Sequence, residues 1–297
     1  YAYIGDGPSM RILEVSIPSS PVLVGQVILP DFVVAIFVSG NMAYVADREA
    51  GLQVIDVSNP SSPQVRGSYD TPGLAMDVCA SGTLAYVAEY AGGLQIIDVS
   101  DPSSPQLRGS VGGGDAYGVF VSGNLAYVTR WVGGIKYPVG GSLGIIDVSN
   151  PSSPQFRGSI GTGPYPPLGV FVSGDLAYVA DNYNGLRIVD VSNPSSPRLR
   201  GFYGASDSVD VYVSGKLAYL TDSYRGLLII DASNPSSPTL RGSFPTRDYA
   251  HGVFVSGNLA YVAATLGGLE IIDVSDPSSP QRRGAFRTPG YARAVSY

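Results

Sequence analysis

The chain has 297 residues, 44% of them hydrophobic, with 38 glycines, 23 prolines and a net charge of −6; this is core material for one large all-β domain with many turns. An acidic chain with two lysines, Lys136 and Lys216, and no basic stripe excludes partners that need phosphate neutralised, namely nucleic acid and anionic membrane surfaces. No apolar run approaches membrane-spanning length, and the single cysteine, Cys79, excludes an internal disulfide framework.

From the N-terminus the chain opens inside a repeat. Tyr1-Ala2-Tyr3-Ile4 matches a piece of every later unit, such as Leu259-Ala260-Tyr261-Val262. A near-constant phrase follows: "VIDVSNPSSPQ" from Val54, "IIDVSDPSSPQ" from Ile96, "IIDVSNPSSPQ" from Ile146 and "IVDVSNPSSPR" from Ile188. Its acidic residue stands at Glu14, Asp56, Asp98, Asp147, Asp190, Asp231 and Asp273, at steps of 42, 42, 49, 43, 41 and 42 residues. A Ser-Gly marker ends at Gly40, Gly82, Gly123, Gly174, Gly215 and Gly257. Self-similarity at a fixed period marks a repeat architecture.

Within a unit, short apolar pieces rich in Val, Ile, Tyr and Phe alternate with turn signals. In the last full unit the pieces are "HGVFVS", "LAYVAA", "GLEIIDVS" and "QRRGAF". Ser256-Gly257-Asn258, Gly267-Gly268 and "DPSSP" separate them. The pieces are too short for helices, so each unit is predicted to be a four-stranded antiparallel sheet, strands A to D from inner to outer. Strands such as "VFV" and "LAYVA" are apolar on both faces, as sheets sandwiched between neighbours must be. Four strands in such a period make a propeller blade. The predicted fold is all-β, a seven-bladed β-propeller occupying residues 1–297 as one domain. "YARAVSY" from Tyr291 to Tyr297 matches strand A, so residues 290–297 are expected to complete blade 1 with residues 1–29 and tie the ring shut.

The stretches "GLQVIDVS" from Gly51 and "GLRIVDVS" from Gly185, each followed by "NPSSP", resemble the LVIVD repeat, and the resemblance covers the whole chain. It implies a propeller. Such repeats occur widely in exported or surface proteins of bacteria and archaea, which implies an extracellular or cell-surface setting. It implies no single activity and no catalytic motif. Scarce cysteine fits export, and a chain beginning at Tyr1 is expected to be a processed or excised piece whose signal and anchor lie elsewhere.

Residues present in every blade are assigned to the frame, since a fold signature does not imply function. The strand-B tyrosines, from Tyr3 and Tyr44 to Tyr261, are expected to pack between blades. The strand-C acid is expected to accept hydrogen bonds from its adjoining turn. The strand-D arginines Arg66, Arg108, Arg157, Arg200, Arg241 and Arg283 are placed on the rim, where they aid solubility. Cys79 aligns with Phe37, Phe120, Phe171 and Phe254, a core slot, and is expected to be inert.

Departures from the repeat concentrate on the face carrying the B–C loops and the D–A links, where function on a rigid ring is expected. Ser122 to Asp147 spans 25 residues against 17 elsewhere, a long B–C loop over 130–142 that carries Arg130, the lone Trp131, Lys136 and Tyr137. Arg, Trp and Tyr are enriched in binding hot spots, so Arg130, Trp131 and Tyr137 are ligand-binding candidates. The end of strand B reads Asp6, Asp47, Glu89, Arg130, Asp181, Asp222, Ala264. The favoured reading is that each acid caps its own B–C turn. The alternative is a cation site, calcium being the one cofactor such oxygens suit, with Asp47, Glu89, Asp181 and Asp222 as its ligands. Near the start of strand A, Asp77 and Asp210 break a column of small residues. One residue earlier stand Tyr117, the lone His251 and Arg293, with Tyr249 and Tyr291 close by.

Three functions remain open. The first is a non-catalytic binding or scaffold domain of an exported or surface protein, probing a protein, peptide or glycan with Tyr90, Trp131, Tyr183, Tyr224, Tyr249, Arg130 and Arg293. The second is a polysaccharide lyase or hydrolase, with His251 or Tyr249 as base and Arg293 neutralising a substrate carboxylate at the channel mouth. The third is a structural spacer. One histidine removes a multi-histidine zinc site and argues against His-dependent serine catalysis. The first reading is preferred, with no cofactor, and the domain is expected to be monomeric.

Overall fold

The computed structural model describes residues 1–133 and 140–297. Among them 28 strands form seven four-stranded antiparallel sheets, the seven-bladed propeller that the repeat predicts. Among the described residues no helix is long and apolar enough to cross a membrane. Blade 2 shows the pattern: strand A Ala35–Ser39, B Met42–Ala46, C Leu52–Asp56 and D Gln64–Tyr69 pair in chain order. In blade 1, C-terminal Ala292–Ser296 is strand A and pairs with Ala2–Asp6, followed by Ser9–Glu14 and Val22–Ile28. The Ser-Gly marker recurs because the A–B turn needs a left-handed residue, as at Gly257 with φ 57°.

A hydrophobic cluster fills each of the seven blade boundaries. Between blades 3 and 4, Cys79, Tyr86 and Leu94 meet Val119, Ala126 and Ile146. Burial pushes the Cys79 thiol up to about 12, which leaves it unreactive. In the same strand-A slot of blades 4 to 7, Phe120, Phe171, Tyr212 and Phe254 step from blade to blade at ring separations of 4.8, 4.9 and 4.8 Å.

The repeated phrase closes the outer edge. A bulge between strands C and D leaves the strand-D arginine unpaired in the ladder, for example Arg66 between Val65 and Gly67. In five of the six blades that carry it, that arginine is not a free rim charge, Arg241 being the exception. Arg66 donates to Asp56 at 2.5 Å, and Arg108, Arg157, Arg200 and Arg283 repeat the pair with Asp98, Asp147, Asp190 and Asp273. The Ser58 hydroxyl and N–H, together with Arg66, hold the Asp56 carboxyl down at about 2. The next strand-D residue is always glycine, and the phrase's first proline carbonyl packs on it from the following blade. Pro60 packs on Gly25, Pro102 on Gly67 and, across the ring closure, Pro18 on Gly284.

The long hairpin of blade 4 differs from its expectation. Strand B runs Leu125–Val132 and strand C Gly140–Asp147, so Arg130, Trp131, Gly141 and Ser142 lie in a paired ladder and not in a loop. The inserted residues lengthen the ribbon. Tyr137 and Lys136 lie outside the described residues.

Candidate functional site

The first turn of strand A builds the site. Bulges interrupt the A–B pairing between Ala75 and Asp77, Ala116 and Gly118, Ser208 and Val211, and Ala250 and Val253. Arg293 is skipped in the same way between Ala292 and Ala294. A bulge re-aims the residues it carries. Here Met76, Tyr117, Val209, His251 and Arg293, with Val34 and Leu168 from just before the two short A strands, line one cavity of about 470 Å³ at the loop-face end of the channel. All seven blades contribute to it. One residue deeper, Asp77 of blade 3 and Asp210 of blade 6 stand on opposite sides among Ala35, Gly169, Gly252 and Ala294. Asp207 and Ser223 complete the mouth.

Both deep carboxyls also join blades. Asp77 accepts the Val78 N–H at 2.8 Å on Oδ1 and the Val119 N–H of blade 4 at 2.8 Å on Oδ2. Asp210 accepts from Val211 at 2.8 Å and from Val253 of blade 7 at 3.0 Å. Burial pushes Asp77 up to about 7, helped by the charge of Asp210, and pushes Asp210 up to about 6. His251 is half-buried, and burial with the neighbouring Arg293 charge lowers its imidazole to about 4. It is therefore neutral near pH 7 and a weak base. The Thr221 hydroxyl bonds the His251 carbonyl at 2.5 Å and fixes its backbone.

These shifts predict a stability profile. Asp77, Asp210 and Asp47, itself raised by burial to about 6, have folded values above their unfolded ones. Their contribution is full below about pH 4 and is lost as pH rises through about 6 to 7. His251 opposes them, its contribution being lost as pH falls from about 6.5 toward 4. Three carboxyls outweigh one imidazole, so the melting temperature is expected to be higher at about pH 5.5 than at about pH 8. Asp77→Asn should flatten that slope. A flat or reversed wild-type profile by calorimetry would refute the assignment.

On the B–C turns and D–A links, tyrosines pair edge to face. Tyr224 of one B–C turn meets Tyr249 of the next link at 5.4 Å, Tyr183 meets Tyr165 at 4.7 Å, and Tyr90 meets Tyr117 at 5.9 Å. Tyr224 and Tyr183 are 71% and 57% exposed, and Tyr249 and Tyr291 are exposed as well.

Other candidates sit elsewhere. Arg130 folds back on its own blade, its guanidinium 4.7 Å from the Phe156 ring centre and within hydrogen-bond reach of Ser142 and the Gly113 carbonyl. Trp131 is half-buried in the ladder beside Asp115 and Gly141. Neither lines the cavity.

The strand-B acids hold the incoming D–A link more than their own turns. Asp6 accepts from the Gly290 N–H at 2.8 Å, Asp47 from Asp31 at 3.3 Å, Asp222 from Ser206 at 3.1 Å, and Glu89 from Gly73. Only Asp222 adds the expected cap, bonding the Tyr224 and Arg225 N–H groups. No three acid, histidine or cysteine side chains converge as metal ligands among the described residues.

The residue three before the strand-C acid faces the end of strand B. In three blades it is the partner of the strand-B end, whereas Gln53 bonds the Ala50 carbonyl and blade 6 has Leu228 there. Arg11 bonds Asp6 at 2.7 Å, Gln95 bonds Glu89 at 2.6 Å, and Arg187 pairs with Asp181. Opposite Arg130 it is Gly144, where a side chain would press on the guanidinium. Opposite Ala264 it is Glu270, which takes over the acid's task by accepting the Arg247 N–H at 2.9 Å. Comparing the two columns unit by unit would have exposed this exchange.

Seven segments, 1–28, 33–71, 72–112, 113–162, 168–204, 205–246 and 248–288, match the family profile described as LVIVD repeat. No curated protein matches the chain. Among solved structures, a Bacteroides fragilis protein provisionally described as a 6-phosphogluconolactonase superposes with TM-score 0.84 at 10% identity, covering 99% of this chain and 96% of its own. A Bacteroides uniformis protein with the same provisional description gives 0.84 at 13% identity, covering 99% and 98%. Sqt1 of Saccharomyces cerevisiae gives 0.66 at 10% identity, covering 94% and 80%. Likeness at such identity speaks to fold alone.

Proposed function

The chain belongs to the LVIVD-repeat family, and from that premise we propose that it is a non-catalytic binding domain of an exported or cell-surface protein, recognising glycans on its loop face. One observation carries the reading: exposed tyrosines pair between B–C turns and D–A links, on the face where the repeat is broken. The opposite face carries the uniform proline turns. Tyrosine offers a large, rigid, amphipathic surface with few torsions to freeze, which suits stacking on sugar rings.

Two observations weigh against the lyase or hydrolase reading. His251 is a weak base, and the Cys79 thiol is buried and protonated. Export rests on the family setting and on the scarcity of cysteine.

The test is a glycan array read beside a peptide library. The wild type is expected to capture glycans, and Tyr224→Ala with Tyr249→Ala to weaken capture about tenfold or more. Capture of peptides alone would replace the ligand class. Capture of neither would favour the spacer reading, and turnover of an arrayed polysaccharide would favour the enzyme.

A further inference from the structure

The cavity has a sidedness that the aromatic rim does not explain. Its upper ring is apolar at Val34, Met76, Leu168 and Val209. Its polar members are Tyr117 and the pair His251 and Arg293, from blades adjacent across the ring closure, with Asp207 and Ser223 at the mouth. Arg293 is exposed at the mouth, and it takes part in none of the ion pairs among the described residues. It is a fixed cation facing an open cavity. His251, neutral beside it, adds a donor without adding charge.

One level down, each oxygen of Asp77 and Asp210 accepts one backbone N–H. A carboxyl oxygen has room for a second donor, so both acids can still accept from a bound hydroxyl. The cavity volume of about 470 Å³ falls within the roughly 300–1,000 Å³ of small-molecule sites. The cavity thus offers an apolar wall for a ring, a guanidinium for an anion, and acceptors on two sides for hydroxyl groups.

We infer that this cavity seats one acidic sugar residue, a hexuronate, with its carboxylate on Arg293 and its hydroxyls on Asp77 and Asp210. The inference rests on the glycan-binding reading and deepens it, because the residue in the cavity anchors a chain that runs out over the tyrosines. The guanidinium takes the carboxylate as a bidentate ion pair, which a neutral hexose cannot form. Discrimination therefore resides in one side chain that the fold does not need.

The experiment is a ligand-observed NMR titration at about pH 7.5 with glucuronate, galacturonate and mannuronate beside glucose, galactose and mannose, and with glycine as an amino-acid control. At least one uronate is expected to bind about tenfold or more tighter than its parent hexose. Arg293→Gln should abolish that preference by weakening uronate binding far more than hexose binding, with the melting temperature unchanged. The inference is overturned if no uronate outbinds its hexose, if Arg293→Gln keeps the preference, or if glycine outbinds every uronate. The glycan array separates the two levels. Capture that depends on Tyr224 and Tyr249 but ignores acidic residues sinks this inference alone, whereas absence of all glycan capture sinks the reading beneath it.

Discussion

Replacing Gly284 with alanine is expected to destabilise the propeller by about 1–3 kcal/mol, the usual cost of overfilling a close-packed contact. A side chain there would come closer than 3.0 Å to the Pro18 carbonyl oxygen, with the Pro18 carbonyl carbon and Ser19 just beyond. The obstacle is backbone, held in place by a proline turn, so it cannot swing aside as a flexible side-chain tip would. The same contact recurs in every blade, but at Gly284 it joins blade 7 to blade 1. Only the short C-terminal strand A reinforces that boundary through pairing. Gly204→Ala is the control. It is exposed, with no atom within 4 Å of the added carbon, and the change should be neutral or stabilising by up to about 1 kcal/mol through the unfolded chain. Denaturant titration of both variants measures the difference. Equal midpoints would mean that the Pro-Gly contact contributes nothing to closure.

That contact bears on what the sequence can disclose. The strands were legible because seven copies of one pattern average out local ambiguity, and because alternation fails on strands buried on both faces in a consistent way. The turns were legible from Ser-Gly and "NPSSP". The purpose of "NPSSP" was not, since its partner glycine lies in the preceding blade, far away in the unit's own numbering. Arg130 shows the same limit. Its type and position suggested a binding group, but its direction is set by the space that Gly144 leaves and by the face of Phe156. Neither is visible until the ladder is formed. The channel residues were legible as breaks in a column, at Asp77, Asp210, His251 and Arg293. What gathered them was a set of bulges, which have no sequence signature of their own here.

Arg187→Ala is expected to cost more than the glycine change, about 3–5 kcal/mol, because it strips a buried charge of its partner. Asp181 has no solvent exposure, and its Oδ1 lacks a hydrogen-bond partner. Arg187 Nε donates to Oδ2 and remains 21% exposed, so the arginine keeps contact with water while the acid does not. Burial already raises the Asp181 carboxyl despite that neighbour. Removing the guanidinium takes away the largest lowering influence, leaving burial opposed only by Thr162 and Asn184, and the acid will take a proton at higher pH. The loss in Arg187→Ala should therefore shrink as pH falls from about 8 to about 5, since a neutral acid is cheaper to bury. Asp181→Ala added to Arg187→Ala removes the orphaned charge, and the double variant should be more stable than Arg187→Ala alone at about pH 8. A pH-independent loss, or a double variant that simply adds two penalties, would show that this strand-B to strand-C pair is not an electrostatic unit. The exchange of Asp for Glu270 in blade 7 would then have to be explained by packing alone.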